Sequence, residues 1–189
     1  MGQNLNTYTG FPKLIGECGG KNYHFVHASA DVESVVKSTI RSAFEYQGQK
    51  CSACSRMYVP ESLWPQVKEG LAEVQKTLKV GDVQEFDTFM SAVIDKKAFD
   101  RISGYIKHAK SGPNTKIVAG GDFDESHGYF IQPTVVETTS RDDRIFKEEL
   151  FGPVVTAFVY KDNQAMDVVN QIGKDTPYAL TGAMYSQDQ

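Results

Sequence analysis

The sequence lacks several features that would assign it to a specialised class of protein. In its 189 residues, no run approaches the ~18 apolar residues of a membrane-spanning helix. Positive charge is not in excess, since 20 lysines and arginines face 24 aspartates and glutamates. A surface for nucleic acid or for an anionic membrane needs a basic stripe, so neither partner is expected at a net charge of −4. The glycine-rich fingerprint G-x-G-x-x-G is also absent.

Cysteines and targeting signals are scarce as well. Three cysteines are an odd number, and without a secretory leader a disulfide framework is not expected. The opening segment MGQNLNTYTGFPK has neither an apolar core nor an arginine-rich amphipathic stretch. It resembles neither a leader nor the start of a domain. We therefore expect the chain to be a piece of a larger protein.

What is present is an ordinary globular composition, 40 % apolar and 23 % charged, with helical and extended patterns in alternation. Apolar spacings of three and four predict four helices, through residues 32–44, 63–78, 97–110 and 162–172. The first is capped by Ser29 or Asp31 and ended by Gly48. Runs rich in Val, Phe, Tyr and Thr predict strands over 23–27, 56–59, 116–119, 129–137, 153–160 and 179–185. No linker divides the chain, so we expect one α/β domain.

A loop of small and polar residues after the first helix carries Cys51. A core cysteine would have apolar neighbours, whereas a loop between rigid elements presents a thiol to a ligand. Lys50 and nearby backbone N–H groups could favour the thiolate, the nucleophilic form. Cys51 is therefore a candidate nucleophile, and the alternative is a buried cysteine without chemistry.

Cys51 and Cys54 also form a C-x-x-C pair, the spacing of a redox dithiol or of half a zinc site. Zinc needs two further ligands, and the other cysteine and the histidines are scattered, so no metal is expected. A thioredoxin-like dithiol lies between a strand and the helix it opens, whereas this pair follows a helix and precedes a strand. We expect Cys54 to be structural. A non-enzymatic thiol module remains the alternative from another class of function.

Two acidic segments complete the candidates. Glu17 lies in GECGGKN, before a Gly-Gly pair that lets the backbone turn tightly or approach a ligand. A carboxylate beside a thiol can accept a proton from water. The segment 147–153, KEELFGP, joins carboxylates that suit ribose hydroxyls to an aromatic ring that can support a planar heterocycle. Taken alone, each segment has a structural alternative as a charged surface turn.

Together these segments resemble the aldehyde dehydrogenase superfamily. Its E-x-G-G-K motif corresponds to residues 17–21, its G-Q-x-C motif to 48–51 and its E-E-x-F-G-P motif to 148–153. The spacing of the first two motifs is the usual one in the family, and the third follows in the expected order. The flanking segments FPKLIGECGGKNYHFVH and SAFEYQGQKCSACSRMYVPESLWP resemble the branch that oxidises L-glutamate γ-semialdehyde to glutamate in proline catabolism.

This resemblance implies a chemical role for three residues. Cys51 would be the catalytic nucleophile that forms a thiohemiacetal and then a thioester with the aldehyde, with its own N–H as an oxyanion donor. Glu17 would be the catalytic base that activates the hydrolytic water. Ser52 would bind the α-carboxylate of the substrate.

The resemblance also implies NAD as the cofactor. Glu149 would hold the nicotinamide ribose, with Phe151 and the backbone around Cys18 beside the nicotinamide. The implied fold is the open-sheet α/β catalytic domain of the aldehyde dehydrogenase type, lacking most of the NAD-binding domain. Residues 1–189 would be this thiol-bearing domain, with residues 1–13 a remnant of the preceding NAD-binding domain.

For the full-length protein, the resemblance implies a homo-oligomer, a dimer, that acts on a small-molecule aldehyde in the mitochondrial matrix. The isolated chain is expected to be inactive and to bind NAD too weakly to detect, because the phosphate and adenosine contacts lie outside it. The alternatives are another aldehyde dehydrogenase with a different substrate and an inert fragment.

Overall fold

The structure, a computed structural model, describes residues 7–10 and 13–188. The predicted domain remnant, residues 1–13, lies mostly outside the described residues. The strands are β1 (Asn22–Val26), β2 (Cys54–Pro60), β3 (Thr115–Ala119), β4 (Phe123–Asp124), β5 (Phe130–Ile131), β6 (Thr134–Thr138), β7 (Val154–Tyr160) and β8 (Gly182–Tyr185). The helices are α1 (Val32–Phe44), α2 (Trp64–Thr77), α3 (Lys96–Ser111), α4 (Arg144–Lys147) and α5 (Ala165–Ile172).

Six strands form one open sheet in the order β3-β6-β7-β2-β1-β8. Strands β6, β7, β2, β1 and β8 run parallel, and β3 joins β6 antiparallel at one edge. Strands β4 and β5 form a separate antiparallel pair. Parallel strands need helices to cover both faces of the sheet, which the alternating chain order supplies. The prediction of an open-sheet α/β fold is confirmed.

Consecutive residues of a strand point to opposite faces of the sheet, so each central strand contributes side chains to the packing of helices on both faces. On one face, Met57 and Val59 of β2 lie in a buried cluster with Phe44 of α1 and Trp64 of α2. On the other face, Tyr58 of β2 packs with α5. A third cluster joins β6 and β7 to α3. The central strands are therefore buried on both sides and form a rigid support for the loops at their ends.

Most helix signals in the sequence are confirmed, with errors at the end of α1 and at the start of α5, where residues 162–164 form a 3₁₀ turn and Asp162 does not cap the helix. The side chain of Asp31 caps α1 and accepts the Ser34 N–H at 2.8 Å. Helix α3 extends one residue beyond the prediction at each end. The prediction that Gly48 ends α1 is wrong, because α1 ends at Phe44 and a 3₁₀ turn over Glu45–Gly48 follows.

The strand predictions need three corrections. The predicted strand 129–137 is two strands, β5 and β6, separated by Pro133, which has no N–H for a sheet ladder. Strand β4 was not predicted, and β8 begins at Gly182 rather than at residue 179. The polar stretch before β7, predicted without an element, contains α4, whose first turn is capped by the Asp143 side chain.

The topology brings three loops to one edge of the sheet. Segments 13–21, 49–53 and 148–153 directly precede β1, β2 and β7. These three strands are parallel neighbours, so their amino-terminal ends meet at the same edge. Each of the three motifs singled out in the sequence lies in one of these loops. This juxtaposition defines the candidate site.

Candidate active site

The three loops line one cleft of about 540 Å³. Its lining is made up of Glu17, Cys18, Gly19, Gln49, Lys50, Cys51, Ser52, Glu149 and Phe151. Every candidate site residue named from the sequence belongs to this set. The structure thus brings the predicted thiol, both carboxylates and the aromatic ring to a single surface.

A left-handed turn presents the Cys51 loop to the cleft. Tyr46, Gln47 and Gly48 have φ values of 54°, 58° and 65° in succession. At Gly48 a Cβ atom would lie 2.3 Å from the Gly152 carbonyl oxygen, so only glycine fits. The side chains of Gln47 and Gln49 each bond the backbone of the loop before α3, at 2.9 Å. Tertiary contacts therefore hold a backbone path that α1 alone would not follow.

The two cysteines of the C-x-x-C pair lie in different environments. Cys51 is exposed in the cleft, whereas Cys54 is 2 % exposed at the start of β2. The Cys54 Sγ donates to the Arg56 carbonyl oxygen at 3.5 Å. Burial raises the pKa of Cys54 to about 12, so this thiol stays protonated at neutral pH. These positions agree with a structural Cys54 and leave Cys51 as the thiol of this pair that is available to a ligand.

The glycine pair before β1 is required because the backbone passes between Glu149 and the Cys51 loop. The Gly20 N–H donates to Glu149 Oε1 at 2.8 Å. A Cβ atom on Gly19 would lie 2.4 Å from Glu149 Oε2, and one on Gly20 would lie 2.5 Å from the Cys51 carbonyl oxygen. The sequence predicted a tight turn or a close approach to a ligand at this pair, and the structure shows a close approach to both other loops of the site.

Helix α3 anchors the segment that carries Phe151. The Arg101 guanidinium donates twice to the Leu150 carbonyl oxygen, at 3.2 Å and 3.3 Å. A Cβ atom on Gly152 would lie 2.4 Å from the Ile102 side chain, so the segment lies tightly on α3. Phe151 itself has a positive φ of 50° and is 39 % exposed. The backbone is thus fixed on both sides of a ring that stays accessible from the cleft.

Three further candidates, Glu17, Cys18 and Ser52, are exposed side chains of the cleft. Glu17 and Cys18 belong to segment 13–21, which has no regular secondary structure. Ser52 follows Cys51 in the turn before β2. All three side chains can be reached by a small molecule in the described chain.

The sequence analysis missed two buried polar residues directly after the glycine pair. Lys21 is 2 % exposed, and its Nζ donates to the Ile145 carbonyl oxygen at 2.9 Å. Burial and, secondarily, the nearby Arg56 charge lower the pKa of Lys21 to about 7. Asn22 is 3 % exposed and donates to the Cys51 carbonyl oxygen at 2.7 Å. The sequence contained a signal for both residues, since Lys21 and Asn22 are the last two residues of the GECGGKN segment that carries Glu17.

The described ranges, 7–10 and 13–188, contain neither a candidate metal cluster nor a membrane-spanning helix. Within them, no group of three or more His, Cys, Asp or Glu side chains is placed to hold a metal ion. Over the same residues, no helix is long and apolar enough to cross a membrane.

The fold and the cleft together define the class of protein. A buried parallel sheet presents a thiol and two carboxylates on loops with the three motifs described above. Residues 1–189 match the aldehyde dehydrogenase family. The chain belongs to this family.

The chain is similar to several individual members of this family. The chain is 59 % identical over 190 residues to the mitochondrial Δ1-pyrroline-5-carboxylate dehydrogenase of Danio rerio, covering 100 % of this chain and 34 % of that protein. It is also similar to the Mycobacterium tuberculosis Δ-pyrroline-5-carboxylate dehydrogenase structure with bound NAD, at 36 % identity and a TM-score of 0.88, over 99 % of this chain and 34 % of that one. A Staphylococcus aureus betaine aldehyde dehydrogenase structure in complex with NAD+ aligns at 33 % identity and a TM-score of 0.81, over 91 % and 34 %. The chain thus spans about a third of the length of these relatives.

Proposed function

We propose that this chain is the thiol-bearing catalytic part of an NAD-dependent enzyme that oxidises L-glutamate γ-semialdehyde, formed from Δ1-pyrroline-5-carboxylate, to L-glutamate. The observation that carries the proposal is one cleft lined by Cys51, Glu17 and Glu149. The similarity to proteins named Δ1-pyrroline-5-carboxylate dehydrogenase, at 59 % identity in Danio rerio and 36 % in Mycobacterium tuberculosis, supports this substrate.

In this proposal Cys51 is the nucleophile. Its thiolate adds to the aldehyde carbon, forming the C–S bond of a thiohemiacetal, and the carbonyl oxygen takes the developing negative charge. The Cys51 N–H can donate to that oxygen. It stabilises the developing charge only if the loop already holds the N–H in position before the reaction. The hydrogen bonds that fix the turn before Cys51 supply that rigidity.

Glu17 is the proposed base for the second half of the reaction. Loss of hydride converts the thiohemiacetal into a thioester on Cys51. Glu17 takes a proton from a water molecule, which attacks the thioester carbon and releases the carboxylic acid and the free thiol. The location of Glu17 in the same cleft as Cys51 supports this role.

The cleft residues fit the nicotinamide ribose end of NAD. Glu149 Oε1 is held by the Gly20 N–H, while Oε2 has no hydrogen-bond partner among the described residues. This leaves an oriented carboxylate oxygen for paired hydroxyls, and Gly19 contributes no side chain to block it. Phe151 and the backbone around Cys18 would lie beside the nicotinamide. NAD bound there would supply the hydride acceptor for the carbon attached to Cys51.

Ser52 is the proposed contact for the α-carboxylate of the substrate. It follows the nucleophile directly and is exposed in the same cleft. A hydroxyl there can donate to a carboxylate while the aldehyde carbon of the same molecule reaches Cys51. A substrate with an acid group at one end and an aldehyde at the other fits this pair.

The proposal extends to the whole protein. Residues 1–13 would be the end of an NAD-binding domain, and the rest of the chain the catalytic domain. The full-length protein would be a homodimer in the mitochondrial matrix, as suits a relative named mitochondrial. The isolated chain would be inactive, because the proposal assigns it contacts to only one end of the cofactor.

A pair of variants in the full-length protein tests the mechanism. Cys51→Ala should lower kcat/KM for glutamate semialdehyde by more than about a thousandfold, because no covalent adduct forms. Glu17→Gln should keep a rapid burst of NADH but slow steady turnover by about a hundredfold, because thioester hydrolysis loses its base. Stopped-flow and steady-state NADH absorbance measure both effects.

Cys54→Ala is the matched control, because it removes a thiol three residues away that is buried outside the cleft. It should keep turnover within a few-fold when compared at equal folded fraction. Unchanged turnover in Glu17→Gln would overturn the assignment of the base. A preference of the full-length protein for simple aliphatic aldehydes over glutamate semialdehyde would overturn the substrate.

A further inference from the structure

A buried amide side chain holds the loop that carries the candidate nucleophile. Asn22, at the first position of β1, is 3 % exposed. Its Nδ2 donates to the carbonyl oxygens of Cys51 at 2.7 Å and Ala53 at 2.9 Å. Its Oδ1 accepts the Thr181 N–H at 3.1 Å. Both amide hydrogens and the amide oxygen are thus used. Asn22 joins the Cys51 loop, on one side of β1, to the segment of Thr181 on the other side.

The contact to Cys51 leaves the backbone of the nucleophile little freedom. The Cys51 carbonyl oxygen is bounded on another side by Gly20, where even a Cβ atom would come within 2.5 Å. The turn is closed by the Ala53 N–H, which donates to the Lys50 carbonyl oxygen at 3.0 Å. With its carbonyl fixed, the peptide plane after Cys51 is fixed, which restrains the backbone from which the thiol side chain projects.

Asn22 also belongs to a short segment that bonds the third loop of the site. The Gly20 N–H holds Glu149 at 2.8 Å, and Lys21 Nζ bonds the carbonyl oxygen of Ile145 in α4 at 2.9 Å. The same three residues therefore contact the thiol loop on one side and the carboxylate segment on the other. A change of the Asn22 side chain acts on the thiol loop and on the Thr181 N–H, whereas the bonds to Glu149 and to α4 come from Gly20 and Lys21.

We propose that Asn22 is a positioning residue for Cys51, setting the place of the thiol relative to the rest of the cleft. This inference rests on the proposed function only in taking Cys51 as the nucleophile. Asn22 touches no substrate and acts through the two carbonyl groups that it bonds. An aspartate has the same shape but only acceptors, so it would repel both carbonyl oxygens and place a negative charge beside the thiol loop.

The test measures the reactivity of Cys51 without any aldehyde. In the full-length protein, Asn22→Asp and Asn22→Ser are treated with iodoacetamide across pH, and adducts on Cys51 are quantified by mass spectrometry. At equal folded fraction, both variants should slow Cys51 alkylation at neutral pH by about tenfold, since the loop no longer holds the thiol in its exposed position. Only Asn22→Asp should also move the pH profile of alkylation to higher pH, because its carboxylate opposes thiolate formation.

Steady-state kinetics add a second readout. The kcat for aldehyde oxidation should fall in parallel with alkylation, while KM for NAD stays within about twofold, because Glu149 keeps its bond from Gly20. Thr39→Val is the control, since it removes another buried side-chain hydrogen bond, to His24 at 2.9 Å, away from the cleft. It should lower stability without slowing alkylation.

The outcomes separate the two proposals. Alkylation and kcat equal to those of the unmodified protein in a folded Asn22→Ser or Asn22→Asp would overturn the positioning role. Slowed alkylation in a protein that does not oxidise glutamate semialdehyde would support the positioning role and overturn the proposed substrate. If neither variant folds, exchange of the Asn22 side-chain amide hydrogens in the unmodified protein decides: protection supports the role, and free exchange overturns it.

Discussion

Single residues in strained conformations cluster where the cleft is built. Three non-glycine residues of the described part have a positive φ: Tyr46 and Gln47 in the turn just before the Cys51 loop, and Phe151 in the segment that carries Glu149. Each costs about 1–2 kcal/mol for an L-residue, so tertiary contacts must compensate. The Gln47 side chain makes one such contact, and Arg101 holds the residue before Phe151. Strain at this scale marks the positions where backbone direction matters to the site.

Gly19→Ala tests the fit of the glycine pair. The added Cβ atom would lie 2.4 Å from Glu149 Oε2, so the carboxylate must move away from the Gly20 N–H. Losing a charge-assisted hydrogen bond at the proposed ribose contact should raise KM for NAD in the full-length protein by about tenfold. Steady-state kinetics with NAD varied at saturating aldehyde measure this change.

The control for this variant is Gly104→Ala, where a Cβ atom would meet nothing within 4 Å. It should leave KM for NAD unchanged. An unaltered KM in Gly19→Ala as well would contradict the role of Glu149 in holding the cofactor.

At the scale of elements, local sequence signals and structure agree closely in α3. The Asp95 side chain caps the helix by accepting the Ala98 N–H at 2.7 Å, and buried residues recur along one face. Gly104 is exposed in the middle of α3. A glycine at such a position destabilises a helix relative to alanine, and no close packing requires it there. This helix also carries Arg101, so its stability supports the segment before β7.

Two variants of α3 should change stability in opposite directions. Gly104→Ala should raise the free energy of unfolding by about 0.5–1 kcal/mol, because alanine loses less backbone entropy in a helix. Asp95→Ala should lower it by about 1 kcal/mol, because the Ala98 N–H loses its cap. Urea titration followed by circular dichroism measures both. A destabilised Gly104→Ala would show that the position is more crowded than the structure indicates.

Errors in predicting elements came from positions where tertiary contacts override local pattern. Apolar spacing predicted α1 through Phe44, but the three left-handed residues after it depend on contacts with the loop before α3. The short strands β4 and β5 pair only with each other, and two residues carry too little pattern to be recognised. Helix α4 is a single turn in a polar stretch, and its only local signal is the Asp143 cap.

At the scale of the whole molecule, stability is coupled to the protonation of one buried histidine. His24 of β1 is 5 % exposed, and its Nδ1 bonds Thr39 Oγ1 of α1 at 2.9 Å. Burial lowers the pKa of His24 from 6.5 to about 4. The unfolded chain therefore binds a proton between these pH values while the folded chain does not. The resulting contribution to stability is complete above pH 6.5 and is lost as the pH falls toward 4.

His24→Asn should remove this coupling while keeping a short polar group near Thr39. Between pH 7 and 4, the unmodified protein should lose more free energy of unfolding than the variant, by up to about 3 kcal/mol. Denaturant titrations of both proteins at several pH values give the difference. Parallel stability curves would mean that His24 is protonated equally in the folded and unfolded states.

The sequence by itself determined four of the five described helices and most strands of the sheet, because apolar periodicity and caps are properties of neighbouring residues. It also identified the three motifs and the family, since residue types and spacing carry that information. Only the tertiary structure decided that the three motifs meet, because strand order depends on hydrogen bonds between distant segments. The same holds for Asn22, whose partners at Cys51, Ala53 and Thr181 are far from it along the chain. No local pattern specifies such partners, because they become neighbours only when β1, β2 and β8 lie side by side.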